Sequence, residues 1–321
     1  MITAETIIIG GGPAGSTCAW KLRQAGRDVI ILDRKPFPRL KLCAGWITPK
    51  VLRDLQIEPQ SYPNSILTFD KLHFHFFGRR IPVRTRQYSI RRYEFDNWLL
   101  QRAEVPVHTH TARHIHRDNS KYLIDDAYRC TYLIGAGGTN CPVYRTFFEA
   151  RNPRAIEMRI STMEEEFAYE YVDTNCYLWF MENKLPGYSW YVPKGNGYLN
   201  VGIGGKFAAM KFREETIKKH WDLFKIKLGR TGLVSEHKFQ NKGYTYFLRQ
   251  NVHVPRIDNA FILGDAAGLA TRDMGEGIGP AVESGILAAE SIILNQEYTL
   301  SSITRYSLFS LLRLNFLTKF I

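Results

Sequence analysis

Three glycines near the N-terminus, Gly10, Gly12 and Gly15, stand in a G-x-G-x-x-G spacing with Pro13 and Ala14 between the last two. Each has a distinct task. The first glycine permits a tight turn, the second lets the backbone approach a pyrophosphate, and the third lets the following helix pack closely on its strand. A helix that begins in such a loop presents free N–H groups and partial positive charge to phosphates. Asp33 stands where a carboxylate can accept hydrogen bonds from ribose hydroxyls, with Arg34 beside it. The elements needed to hold these residues are all written nearby. Residues 6–9 are β-branched and read as a buried parallel strand, 16–25 as a helix closed by Gly26, and 28–32 as a second apolar strand. Together they form a strand–turn–helix–strand unit that suits a dinucleotide. The loop alone does not distinguish FAD from NAD.

A second constellation lies far downstream. Residues 260–263 read as an apolar strand running into Gly264-Asp265-Ala266-Ala267-Gly268. Gly275-Glu276-Gly277-Ile278-Gly279 follows, and then a small-residue helix over about 280–293. A buried aspartate capping a helix would explain Asp265, but not the glycines on both sides. The string resembles the Gly-Asp motif of the flavoproteins that include the p-hydroxybenzoate hydroxylase-like enzymes. That resemblance implies FAD, with Asp265 on a ribityl hydroxyl and Gly264, Gly275, Gly277 and Ile278 around the flavin. The segment 89–100, with Arg92, Phe95 and Asp96, resembles the helix-opening segment of the same superfamily and adds Arg92 to the cofactor-binding set. The turn at Gly135-Ala136-Gly137-Gly138 departs from the hydroxylases, which carry an Asp-Gly pair there, and this weakens a monooxygenase reading.

Three shorter motifs narrow the family. Lys41-Leu42-Cys43-Ala44-Gly45 resembles the K-x-C-G-G segment of geranylgeranyl reductases, with Ala44 for the first glycine. Tyr188-Ser189-Trp190-Tyr191-Val192-Pro193 resembles their Y-x-W-x-F-P motif, with Val192 for phenylalanine, and Gly202-Ile203-Gly204 supplies the G-x-G beyond it. The resemblance implies an FAD-dependent oxidoreductase that reduces carbon–carbon double bonds of a polyprenyl substrate by hydride transfer from reduced FAD. It implies Cys43, Tyr188 and Trp190 as catalytic positions, a hydrophobic isoprenoid or lipid substrate, and NAD(P)H or a ferredoxin-like protein as electron donor. Plainer readings stand beside these. A free cysteine is most often a small buried hydrophobe. The aromatic residues between Phe167 and Tyr191 suit a sheet core as well as an apolar channel. The rival functions are a flavin-dependent monooxygenase or halogenase, whose W-x-W-x-I-P motif differs from Tyr188-x-Trp190 at its first position, and a flavin-bearing electron-carrier or interaction protein.

The whole chain sets the frame. Its 321 residues are more than one comfortable domain. The fold class expected is α/β: a Rossmann-like FAD domain built from 1–62, 88–150 and 251–295, with an inserted, mainly antiparallel β-sheet substrate domain from 63–87 and 151–250. The active site is expected between them, at the carboxyl ends of the parallel strands. A C-terminal helical segment is expected over 296–321. There Leu308, Phe309, Leu311, Leu312 and Leu314 alternate with Arg305 and Arg313 in a pattern that suits either a lipid surface or the protein's own substrate domain. A formal charge of +12 favours anionic partners. The basic residues are scattered without a nucleic-acid signature, so no nucleic acid is expected. No apolar run is long enough to span a bilayer, so membrane contact is expected to be peripheral. Five cysteines without a C-x-x-C suit a reducing cytoplasm rather than a disulfide framework. The pairs His73/His75, His108/His110 and His114/His116 lack companion ligands, and no metal is expected.

Overall fold

The computed structural model describes residues 1–240 and 242–307 as two compact units, each drawn from separated stretches of chain. The first comprises Met1–Arg39, Tyr93–Arg154 and Phe247–Ser307. Its sheet runs in the order Arg256–Ile257, Ala260–Ile262, Tyr128–Gly135, Ile2–Ile9, Val29–Asp33 and Val107–Thr109. All neighbours are parallel except the first pair. An antiparallel pair, Ile115–Asp118 and Lys121–Ile124, extends from Tyr128–Gly135. Ile7, Ile8, Ile31, Leu32, Leu133 and Ile134 are fully buried at the centre of the sheet. Such continuous apolar runs are what parallel strands require when helices cover both faces. The helix Pro13–Gln24 begins with proline in its first turn, where a missing N–H costs nothing, and gives way at Gly26 with φ +73°.

The second unit comprises, among the described residues, 40–92 and 155–246. Its eight-stranded sheet runs Gly243–Phe247, Arg159–Ala168, Tyr198–Lys206, Gly187–Lys194, Cys176–Phe180, Ile66–Phe76, Arg79–Ile90 and Trp46–Ile47. The identified pairings are antiparallel apart from Cys176–Phe180 with Ile66–Phe76. One face carries Met163, Phe167, Tyr177, Trp179, Tyr191, Leu199, Val201 and Ile203. It packs against Trp221, Phe224 and Leu228 of the helix Ile217–Arg230, which Thr216 caps by accepting the Lys219 N–H. The α/β class and the largely antiparallel second sheet are as the sequence implies.

Two expected boundaries move. Residues 40–62 and 88–92 join the second unit rather than the dinucleotide unit, because Trp46 and Ile47 pair with Ser89 and Tyr88 and draw the segment into the second sheet. Residues 296–307 contain no helix. They run as mostly irregular chain on the first unit, where the Tyr298 hydroxyl donates to Ile262 O at 3.1 Å and Arg249 donates to Leu300 O at 2.7 Å. The apolar segment from Leu308 onward lies outside the described residues. Among the described residues, no helix is long and apolar enough to cross a membrane.

Trp221 is wholly buried between helix and sheet. Trp221→Ala is expected to cost about 3–5 kcal/mol, the usual range for emptying an aromatic core position. Urea unfolding followed by circular dichroism checks it, and a loss below about 1 kcal/mol would show that the helix does not anchor that face.

Candidate active site

In the first unit, three strands end in three glycine turns that interlock. Gly10 N–H donates to Leu32 O at 2.8 Å, which fixes the first turn against the neighbouring strand. Gly10 has φ +112°, and a Cβ there would lie 2.4 Å from Ala136 O. A Cβ on Gly15 would lie 1.9 Å from Gly10 O. Both positions therefore exclude side chains by contact with backbone. Gly12 differs, because a Cβ there would meet nothing within 4 Å. It is the N-cap of Pro13–Gln24, with no side-chain cap and no acidic residue in the first turn. Asp33, buried at the end of the adjacent strand, accepts the Gly11 N–H at 2.9 Å and the Lys35 N–H at 3.1 Å. Open space at Gly12, an uncapped helix start and a buried carboxylate beside them fit an adenine dinucleotide.

The turn Gly264–Ala266 lies against the same helix. A Cβ on Gly264 would touch Ala14 Cβ and Ala281 Cβ, both at 3.2 Å, and one on Gly285 would come within 2.5 Å of Ala14 O. These contacts hold the helices Pro13–Gln24 and Ile278–Leu294 at backbone distance. Gly264 N–H donates to the buried Ser284 hydroxyl at 3.0 Å. Asp265 Oδ1 lies 3.4 Å from where a Gly277 Cβ would be, so the carboxylate sits at the uncapped start of Ile278–Leu294. Thr271 shapes the loop before that helix, since its hydroxyl accepts the Glu276 N–H at 3.0 Å and its carbonyl accepts the Gly275 N–H at 3.0 Å. Gly275 takes φ +63°.

Two arginines here escape a sequence reading. Arg154 donates to Thr139 O at 2.6 Å, Ala266 O at 2.8 Å and Asp265 O at 3.2 Å, which staples the turn that follows the strand Tyr128–Gly135 to the turn Gly264–Ala266. Its guanidinium lies 3.7 Å over the Tyr144 ring, and burial pulls its pKa down. Arg39, rather than the exposed Arg34, pairs with Asp33 at 3.2 Å and lies over the Phe37 ring. Nothing in the local pattern around either residue announces this role.

In the second unit, the residues of the shorter motifs meet on the sheet face opposite the helix Ile217–Arg230. Trp190 pairs with Gly202, which pairs with Glu164, and Tyr188 pairs with Gly204 one step along. The rings of Tyr188 and Trp190 are 5.8 Å apart, and the row continues through Phe180 at 5.2 Å from Tyr188 to Phe76, stacked at 4.4 Å. Trp190 Nε1 donates to Asn200 Oδ1 at 2.7 Å, and Asn200 Nδ2 donates to Cys43 O at 3.3 Å. Asn200 thus joins the Trp190 and Cys43 motifs. Cys43 is half-buried, and its Sγ accepts the Gly45 N–H at 3.4 Å, whereas the other four cysteines are buried.

Buried charge surrounds this group. Lys194 has no exposed surface, and its ammonium donates to Ile90 O at 2.8 Å and to Ala44 O. Burial lowers its pKa, opposed by Glu166, Cys43 and Glu164. Glu164 is 2% exposed, and burial pushes its pKa up to about 8 against the pull of Lys41 and Lys194. Arg92, also buried, opens the helix Arg92–Arg102 and adds to that pull. Of the paired histidines, His73 is bonded by Asn175 and Arg80, and His110 by Asp125. No group of three metal-ligating side chains occurs among the described residues.

Residues 8–47 match the family model described as an NAD(P)-binding Rossmann-like domain. Over 312 residues the chain is 31% identical to an uncharacterized protein of Methanosarcina barkeri, covering 90% of this chain and 74% of that one. It is 26% identical to a menaquinone reductase of Mycolicibacterium smegmatis, over 89% of this chain and 76% of that one. It is also 26% identical to a geranylgeranyl diphosphate reductase of Rhodobacter capsulatus, over 89% and 74%. The chain belongs to the geranylgeranyl reductase family of flavoprotein oxidoreductases. Its fold is that of a geranylgeranyl bacteriochlorophyll reductase-like protein of Thermoplasma acidophilum, with a TM-score of 0.79 at 20% identity over 98% of this chain and 84% of that one.

Removing Arg154 leaves three carbonyls without their shared donor. Arg154→Ala is expected to lose about 1.5–3 kcal/mol, the range for hydrogen bonds to a charged group. It should release FAD at least tenfold more readily while the circular dichroism spectrum is kept. Unchanged flavin retention in Arg154→Ala would separate this staple from the cofactor site.

Proposed function

We propose that the chain reduces carbon–carbon double bonds of a polyprenyl substrate, using FAD held by the first unit. The observation that carries this is the bond from Trp190 through Asn200 to Cys43, which joins two reductase-like motifs on an aromatic sheet face. The names of the relatives agree with it. When bound and reduced, FAD supplies a hydride. The protein's own residues supply position. Gly10, Gly12, Pro13, Ala14 and Gly15 would take the pyrophosphate at the helix start, and Asp33 would take the adenosine ribose with Arg34 and Arg39 beside it. Gly264, Asp265, Gly275, Gly277 and Ile278 would hold the ribityl chain and flavin, with Arg92 in the same set. An isolated alkene offers no polar handle, so its rate depends on being held against the flavin. Tyr188 and Trp190 would offer the prenyl chain a flat apolar wall, and Cys43, held at its carbonyl by Asn200, would stand at the edge of that wall. The chain carries one G-x-G-x-x-G loop, so NAD(P)H or a ferredoxin-like donor would deliver its electrons in passing.

A lipid-held substrate has to be met at a membrane surface. The hairpin of Ile66–Phe76 and Arg79–Ile90 offers Phe77, 85% exposed, at its tip beside Arg79 and Arg80. That combination suits peripheral contact with anionic lipid. Phe77→Asp is expected to reduce flotation with anionic vesicles several-fold and leave activity on a detergent-dispersed substrate intact. Equal flotation of both proteins would remove the hairpin from this role.

The function is tested with chemically reduced protein under anaerobic conditions. Geranylgeranyl diphosphate, a geranylgeranyl lipid and a polyprenyl quinone are offered separately, and mass spectrometry follows the gain of hydrogen pairs. A gain on any of them with flavin reoxidation supports the proposal. Gain on none, with hydroxylation or halogenation of an aromatic compound once oxygen is admitted, replaces it with the monooxygenase or halogenase reading. Cys43→Ala is expected to slow reoxidation by substrate about tenfold or more with a melting temperature close to the parent's. Unchanged kinetics with a large loss of stability would return Cys43 to a packing role.

A further inference from the structure

Glu164 is out of place on an apolar sheet face. A buried carboxyl is costly unless it is paired or stays neutral. Its neighbours Glu165 and Glu166 are satisfied: Glu165 accepts the Gln240 N–H at 2.6 Å, and Glu166 accepts Arg91 Nε at 2.9 Å. Glu164 Oε1 is buried and has no hydrogen-bond partner among the described residues. The Lys194 ammonium is turned to the carbonyls of Ala44 and Ile90. The Lys41 ammonium lies 3.1 Å over the Tyr244 ring. Gly202, the strand partner of both Glu164 and Trp190, lets the two side chains come together. A Cβ there would fall 2.3 Å from the Trp190 ring and 2.6 Å from Glu164 Cβ, so the indole and the carboxyl-bearing side chain close over a position that has no side chain.

We infer that Glu164 is the proton donor that completes saturation of the double bond, an inference that rests on the reductase reading above. Reduction of an alkene needs one hydride and one proton. The π pair of the double bond forms a C–H bond with the carboxyl proton, the O–H bond breaks, and the neighbouring carbon accepts the hydride of the reduced cofactor. Glu164 is left as a carboxylate and regains a proton from water before the next turnover. Proton transfer to carbon favours an acid that is protonated near neutral pH and shielded from competing water. The groups facing Glu164 are Lys41 from the segment before the first short strand, Lys194 from Gly187–Lys194, Glu166 from its own strand and Arg92 from the helix start. The three cations favour ionisation and Glu166 opposes it, but burial outweighs them and the acid form persists to about pH 8.

The test begins without turnover. Infrared spectra of the flavin-loaded protein at neutral pH should show the C=O band of a buried protonated carboxyl, and Glu164→Gln should remove it. Thermal unfolding gives the same information. Because the folded-state pKa is raised from 4.5 to about 8, the parent loses stability as pH rises through that window, and the Gln variant does not. The melting temperature of Glu164→Gln relative to the parent should therefore climb between those limits. In turnover, Glu164→Gln should reduce saturation of the prenyl substrate by about 100-fold or more while FAD binding is unchanged. Glu164→Asp, which keeps an acid, should recover part of the rate. Parent activity should fall as pH passes about 8. Full activity in Glu164→Gln, or loss of activity in Cys43→Ala with Glu164→Gln unaffected, overturns the inference and leaves the reductase reading standing. A parent protein that saturates no prenyl substrate overturns the reductase reading, and this inference falls with it.

Discussion

The contact on which the dinucleotide unit depends is backbone against backbone at its glycine turns. Gly15 lies against Gly10, Gly10 against Ala136, and Gly285 against Ala14, each at a separation that leaves no room for a Cβ. The consequence is geometric. Three parallel strands deliver their carboxyl ends side by side, and the turns that follow can interlock only if the helices behind them approach at backbone distance. Two helix starts, at Pro13 and Ile278, are thereby brought into one unit with their N–H groups uncapped. A helix start presents partial positive charge, so two of them together favour an anionic group. Arg154 secures the arrangement from outside by donating to carbonyls of two of the three turns.

The second unit solves a different problem, that of a sheet whose two faces have unlike partners. Alternation along each strand sends Tyr177, Trp179 and Tyr191 to the helix-covered face and Trp190, Tyr188 and Glu164 to the other. The glycine at 202 then has a meaning. In the middle of a sheet it weakens the strand, and here it makes room for the Trp190 ring and the Glu164 side chain beside it. Lys194 is tolerated in this interior because its ammonium has backbone carbonyl acceptors.

What could be read from the sequence follows from this division. The glycine turns were legible because only glycine satisfies such close approach, and Asp33 because its distance from the loop is fixed by one helix and one strand. Tyr188, Trp190 and Cys43 were legible as motifs, but not the bond network between them. That network runs through Asn200, which lies beside Trp190 only once the strands are paired. Glu164 stands in a run of three glutamates, and nothing in that run marks which of them lacks a partner. Its burial follows from a two-residue period in which neighbours face opposite ways. Arg154 and Arg39 act on carbonyls or carboxylates distant in sequence or across a turn, and no local pattern encodes that. The displaced boundary at 40–62 has a similar origin, since Trp46–Ile47 is too short a strand to show as a periodic signal.

In the proposed function, backbone contact between the two glycine-containing helices is what makes room for the flavin. Gly285 tests it directly, because it lies inside that contact and bears no group that could touch a cofactor. The measurement is the amount of FAD bound per folded chain in the parent and in Gly285→Val, read from the flavin absorbance after purification with circular dichroism as the control for folding. The parent is expected to be yellow, and the variant to fold with little or no flavin. A folded Gly285→Val protein that holds FAD as fully and as tightly as the parent would contradict it.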